Sequence, residues 1–318
     1  NTSLTVQSGI RYNYVIIDAD LTANNSFYIP PFDNASLETS AITGNLGFSW
    51  NPDSNIIWKL NTTTAFRAPN IDDIGKLFDS QNGIVVVPNR NLKPEYAYNS
   101  EIGLSKSSIN KQNTFSINAY YTHISNHITR DYFEIKNDTS TSDPSTIVFN
   151  SEEVITMANV NKGNAFIYGT TLDIKLSSPN LWMLKGNLTY THGGSVNSHH
   201  PLPSISPLFG HLTLRYNVAK SSELELSYKF SGSKSPEKYS IGGEDGLEET
   251  PLVFDGIDFA FNGMPSWNVV KLSSSYEFSN KFKTLLVLDN LFDIHYREFA
   301  SGISAPGRNL NLVLSYKF

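Results

Sequence analysis

Three stretches of the chain carry residues able to do chemistry. In YYTHISNHI (120–128), His123 and Ser125 are two residues apart, so on an extended strand they share a face. Facing lipid, such a pair could transfer an acyl group, with histidine as base; His-x-Ser is also a pattern that arises by chance. In NSHHPLP (197–203), His199 and His200 are adjacent. Neighbours on a strand point to opposite faces, so ligation of one metal or haem iron by both requires a bent loop; the alternative is a solvated pair. The stretch 232–266 collects Glu237, Glu244, Asp245, Glu248, Glu249, Asp255 and Asp258 against Lys234 and Lys238. Clustered oxygens could hold Ca²⁺ or draw in a cation, but EF-hand spacing is absent, and a solvated loop face is the plainer reading. Tyr239, Phe254, Phe259 and Phe261 in the same stretch suggest an aromatic contact surface. His123, His127, His192, His211 and His295 read as interface or lumen residues. No nucleotide loop, zinc-type spacing or paired-carboxylate motif is present. The expectation is therefore no catalytic residue, no resident metal and no cofactor.

Strands must position these residues. Helical periodicity is nearly absent and apolar–polar alternation is everywhere. Leu224, Leu226, Tyr228 and Phe230 alternate with Glu225, Ser227 and Lys229; Val270, Leu272, Tyr276 and Phe278 share a face. About twelve such segments are legible: 4–17, 41–50, 54–66, 95–106, 112–129, 164–176, 181–193, 207–218, 222–231, 267–278, 281–292 and 309–318. Most reach the roughly 9–11 residues that a tilted strand needs to cross a bilayer, against about 5–6 in soluble sheets. Their connections alternate. Tight turns at 51–54, 107–112, 177–180, 219–222 and 279–281 separate long loops at 18–40, 67–94, 130–163, 194–206, 232–266 and 293–308. Outer-membrane barrels sort their connections in this way, with short turns inside and long loops outside; a sandwich has no reason to. Tyr12, Tyr14, Trp50, Trp58, Trp182, Tyr190, Tyr228 and Trp267 suit interfacial girdles.

Composition agrees. Only 17% of the 318 residues are charged, and Tyr (16) and Phe (19) are abundant. A net charge of −6 gives no support to a nucleic-acid surface, and the absence of cysteine excludes disulfides and thiolate sites. No apolar run reaches the roughly 18 residues of a membrane helix.

Three stretches resemble TonB-dependent outer-membrane receptors. AFRAPNIDDIGKLF (65–78), followed by VPNRNLKPEYAYNSEIG (87–103), is similar to the family's FRAP and N-P-x-L-x-P-E-like boxes. LPSISPLFGHLTLRY (202–216) resembles its Pro-rich lead into a late strand. VLDNLFDIHYREFASGISAPGRNLNLVLSYKF (287–318) resembles its N-L-F-D, A-P-G-R and final strand ending in Phe. The box residues Arg67, Pro69, Asn91, Leu92, Pro94, Glu95, Asn290, Pro306, Gly307 and Arg308 read mainly as loop bracing: Arg67 reaching Asp72 or Asp73, proline stopping a strand, Arg308 steadying the last loop.

The resemblance implies an all-β antiparallel transmembrane barrel in the bacterial outer membrane. Residues 1–318 would supply about the last twelve of twenty-two strands, with the plug lying in a longer receptor. It implies uptake of a scarce nutrient, most like the haem and iron-complex subgroup, powered by the TonB complex through the plug-bearing part. Tyr316 and Phe318 would form the signal read by the barrel-assembly machinery, and outer-membrane lipid would surround the wall. Candidate ligand contacts are His199, His200, Tyr239 and Phe254. Haem receptors of that kind carry a histidine between the first two boxes; residues 70–88 have none. A passive porin, an adhesin-type barrel or an outer-membrane phospholipase are the alternatives.

Overall fold

The computed structural model describes residues 2–20, 32–75, 77–81, 83–196, 200–254, 256 and 258–318. Twelve strands form one sheet, each bonded to its neighbour along the chain. They are β1 (Ser3–Asp20), β2 (Asn34–Asp53), β3 (Ile56–Arg67), β4 (Glu95–Ser107), β5 (Thr114–Ser125), β6 (Ala165–Ser178), β7 (Trp182–Ser195), β8 (Phe209–Ala219), β9 (Ser222–Ser231), β10 (Trp267–Ser279), β11 (Phe282–Asp289) and β12 (Asn309–Tyr316). All these pairings are antiparallel. Short turns gather at one end and long connections at the other, as expected.

Alternation gives the sheet one apolar and one polar face. Ile10 is 87% exposed, and Ile42, Leu60, Ile102, Leu226 and Leu312 are exposed with it; water alone would not tolerate such a continuous surface. Thr63, Asn99 and Thr122 lie in one cross-strand row of the opposite face, and the Thr122 hydroxyl donates to Asn99 Oδ1. Trp50 and Trp58 face one another in register near the short-turn end, as do Trp182 and Tyr216. Trp267 corrects the expected girdle. It is buried on the polar face, one residue out of phase with Asn268, Val270 and Leu272.

Two strands are longer than their patterns suggested. The β1–β2 ladder continues to Asp20↔Asn34, because Ile17, Ala19, Ala35 and Leu37 pack under Ile74 and Leu92 from the next long connection. The 112–129 segment is shorter: β5 ends at Ser125, and Asn126 takes a left-handed φ of 53°. The loops 67–94 and 130–163 are not irregular either. Phe78–Gln81, Ile84–Val86, Ile128–Glu134, Ser145–Phe149 and Glu152–Asn161 build a second sheet above the wall. Its core is Val85, Val87, Phe133, Ile135, Val154 and Val160. Ile84–Val86 runs parallel to Ile155–Met157, which joins two long connections by their backbones.

Gly169 in β6 shows how tightly the wall packs. A Cβ there would sit 2.5 Å from the Tyr190 carbonyl oxygen and 2.6 Å from the Tyr120 hydroxyl. Gly169→Val is expected to cost about 2 kcal/mol or more and to reduce the folded, heat-modifiable band on gels of membrane extracts; an unchanged band would refute this.

Candidate functional site

The long connections fold inward over the polar face. Leu202 and Ile205 cover Ile124, Ala165 and Ile167 at the ends of β5 and β6. The result is a cap, held by two polar hubs.

Asp73 is the first hub. Pro69 is buried at the end of β3, and Asn70 then caps the short helix α1 (Ile71–Ile74) by accepting from the Asp73 backbone N–H at 2.9 Å. The Asp73 carboxylate returns a bond to Asn70 N–H at 2.8 Å and accepts from Arg67 through both oxygens at 3.0 Å. It also accepts from Asn159 Nδ2 at 2.7 Å, across 86 residues of chain. Around it, Glu95 accepts from Ile128 N–H, Leu92 is buried, and Asn91 donates to Asp138. Pro94 immediately precedes β4. The box residues here brace loops against each other.

The last connection is braced by two side chains, Asn290 and Asp293, that bond its backbone. Asn290, 3% exposed, holds Ile294 at both N–H and C=O and donates to the Pro306 carbonyl. Arg308 meets the same connection through its backbone: its N–H donates to Asp293 at 2.7 Å. A Cβ on Gly307 would lie 2.9 Å from the same carboxylate, which would have to shift to admit it.

Lys234 is the second hub. It is buried, not solvated as its loop suggested: its ammonium donates to Asp245 at 2.8 Å and to the Ile205 carbonyl at 2.9 Å, 4.1 Å from the Phe299 ring centre. Asp245 accepts from Ser204 N–H at 2.6 Å. Three long connections therefore meet on one ion pair.

Several cavities open in the cap, and two of them bring candidate residues together. One, of about 390 Å³, is lined by Tyr239, Met264, Trp267, Tyr296 and Arg297. The other, of about 340 Å³, is lined by His127, Arg130, Asp131, Lys162 and His200. His200 and His127 thus line one cavity; the proposed His199 partner lies outside the described residues. Tyr239 is buried in the first cavity's wall, whereas Phe254 is exposed on the hairpin Leu252–Phe254/Phe259–Phe261, against Phe259. His123 and Ser125 do share the apolar face, but among the described residues neither side chain has a hydrogen-bond partner. No group of three or more metal-ligating side chains occurs among the described residues. His127 and Trp267 were missed as cap residues; the phase of Trp267 against Val270 was the available signal, while nothing local marked His127.

Burial pushes His127 below its ordinary pKa of 6.5; Glu95 and Glu244 oppose this and Arg67 adds to it. The unfolded chain therefore binds a proton at a higher pH than the folded cap. Stability contributed by neutral His127 is lost as pH falls from 6.5 toward the lower folded value. Amides of Ile128–Glu134 should lose hydrogen-exchange protection between pH 7.5 and 5.5, after correction for intrinsic rates, and His127→Gln should flatten the loss. An equal loss in the variant would refute the role.

A twelve-stranded antiparallel wall, apolar on one face, with long connections folded over its polar face at one end, has the architecture of part of a β-barrel. The chain belongs to the TonB-dependent receptor family: the family model described as TonB dependent receptor-like, beta-barrel matches residues 1–291. No curated protein matches the sequence significantly. Among solved structures, the copper transporter OprC superimposes with a TM-score of 0.74 at 16% identity, covering 99% of this chain and 45% of its own. The ferric-catecholate import receptor Fiu from K12 E. coli gives 0.68 at 14%, covering 99% and 42%. The Serratia marcescens hemophore receptor HasR, solved with its hemophore HasA and heme, gives 0.67 at 12%, covering 99% and 49%. At these identities the likeness establishes the fold. The chain spans less than half the length of each.

Proposed function

We propose that the protein is an outer-membrane receptor that imports a scarce nutrient, an iron–siderophore or haem complex, with energy from the TonB complex. The observation that carries this reading is the cap: long connections braced over the polar face, with cavities between them, in a chain of this family. Its solved relatives are named for copper transport, ferric-catecholate import and hemophore binding. Residues 1–318 then form twelve of twenty-two strands, with the apolar face in lipid and the plug and TonB contact in the rest of a longer protein. Tyr316 and Phe318, their rings 5.3 Å apart, would present the barrel-assembly signal. His200, Tyr239 and Phe254 are the proposed ligand contacts within the described residues.

Deleting the gene and supplying iron as defined ferric siderophores or as haem tests the reading. Growth should fail on one source, return with the gene, and fail again when TonB is disabled. Uptake persisting without TonB would overturn it in favour of a passive pore.

A further inference from the structure

Strand β7 outruns its partner. The ladder with β8 stops at Thr189↔Phe209, and the next pairing on that side is the isolated bridge Gly194↔Pro201. Between them, residues 190–193 of β7 face no partner strand among the described residues, and the longer segment 202–208 opposite them must bow away. It bows inward: Leu202 and Ile205 pack on Ile124, Ala165 and Ile167 of the polar face. A cavity of about 470 Å³ is left behind. Tyr190 and His192 line it from the apolar phase of β7, and Thr191, Gly193 and Ser195 from the polar phase. A cavity that takes both phases of one strand lies at that strand's open edge, so this one is a slot cut into the wall. Strands β7 and β8 stand mid-wall, away from the edges β1 and β12.

Depth and charge say what the slot faces. From Trp182, at the short-turn end, to His192 is about 33 Å of strand, or about 25 Å of height at a tilt of about 40°, which is the apolar band of an outer-membrane wall. The slot therefore opens at headgroup level. Phe166, Tyr168 and His192 cluster there, their ring centroids 6.1, 6.0 and 5.3 Å apart. Ser195 N–H points out of the ladder with β6 and donates to the His200 carbonyl. Thr191 and Gly193 are in phase with it, so their backbone N–H groups point into the slot, where an edge beside lipid gains from any acceptor. Lys234 and Lys238 line the slot and no carboxylate does. Lys234 is held by Asp245, whereas Lys238 is exposed, and Glu237 next to it accepts from Ser235.

We infer that this slot seats a phosphate-bearing lipid of the surrounding membrane. The phosphate meets Lys238, headgroup oxygens accept from the open edge of β7 beside the ring cluster, and the acyl chains run down the apolar face past Leu188 and Leu212. The inference goes beyond nutrient uptake and rests only on the reading that the apolar face lies in lipid.

Native mass spectrometry of the intact, delipidated protein in detergent tests it, with lipid A, dephosphorylated lipid A and glucosamine 1-phosphate as probes. Lipid A should be retained about tenfold better than its dephosphorylated form, and glucosamine 1-phosphate should not displace it. Lys238→Gln should lower retention about fivefold, as one lysine at a membrane surface does. Gly194→Leu should abolish it by filling the slot: a Cβ there makes only ordinary contacts, 3.5 Å from the His200 carbonyl oxygen and 3.7 Å from the Phe166 ring, so the variant should still fold. Lys281→Gln, at the short-turn end, should change nothing. Equal retention with and without phosphate, retention unchanged in both slot variants, or displacement by glucosamine 1-phosphate overturns the inference. A protein that stays monomeric and folded without detergent would instead sink the membrane placement itself.

Discussion

Asp73→Ala should cost the cap about 3 kcal/mol of local stability and leave the wall folded. The carboxylate is 5% exposed and accepts from Arg67, the Asn70 backbone and Asn159. Arg67 is 44% exposed along its side chain, so once released it returns to water at small cost. The loss comes from the other partners: the N–H of Asn70 and the amide of Asn159 are left without their acceptor, at about 1–3 kcal/mol each. Asn159 lies in Glu152–Asn161, the strand that carries the parallel pairing with Ile84–Val86. Hydrogen exchange should therefore accelerate about 100-fold at 84–86 and 155–157 while β6–β9 keep their protection. Uniform acceleration over the wall, or none at the hub, would show that Asp73 does not hold the cap.

The second large effect is expected at Lys234 and Asp245. Their side chains are 4% and 1% exposed, so removing one partner leaves a charge in a nearly dry site, at about 3–5 kcal/mol. Asp245→Ala should open the 232–266 loop to proteolysis. The double variant Lys234→Met/Asp245→Leu should recover most of the loss, because it buries no charge. Burial already holds the Lys234 pKa below its ordinary value of 10.5, with Asp245 pulling it back up. The folded loop thus binds this proton less readily than the unfolded chain. Its stability rises with pH across the interval between the folded value and 10.5, and at neutral pH the ionised pair carries a residual desolvation cost. A double variant as unstable as Asp245→Ala would mean that shape, not charge, is what the site requires.

How much of this was legible in the sequence follows from range. Alternation is local, so the twelve wall strands, their two faces and the sorting of turns could be read residue by residue. Arg67 and Asp73 are six positions apart around Pro69, and their pairing was legible for the same reason. The second sheet was not. Ile84–Val86 is too short a run to signal a strand, and it becomes one only by pairing with Ile155–Met157 far along the chain. Asn159 carries no local mark of its bond to Asp73. Lys234 sits among acids that suggest solvent, and only the meeting of three connections buries it. The ends of β1 and β2 were missed because small residues such as Ala19 and Ala35 look loop-like until Ile74 and Leu92 cover them. Of the candidate ligand contacts, Tyr239 lies in a cavity wall, Phe254 stands out on a hairpin, and His200 lines a cavity that His127 also lines.

The backbone join between the two long connections has a consequence for attack from outside. Lys136 is exposed just beyond Ile128–Glu134, an inviting place for a trypsin-like enzyme to cut. Scission there leaves the stump zipped to Asn161 through Ile128↔Asn161 and its neighbours, and the far side still stitched to Ile84–Val86. A nicked molecule should therefore keep its lid shut, and the two fragments should part only in denaturant.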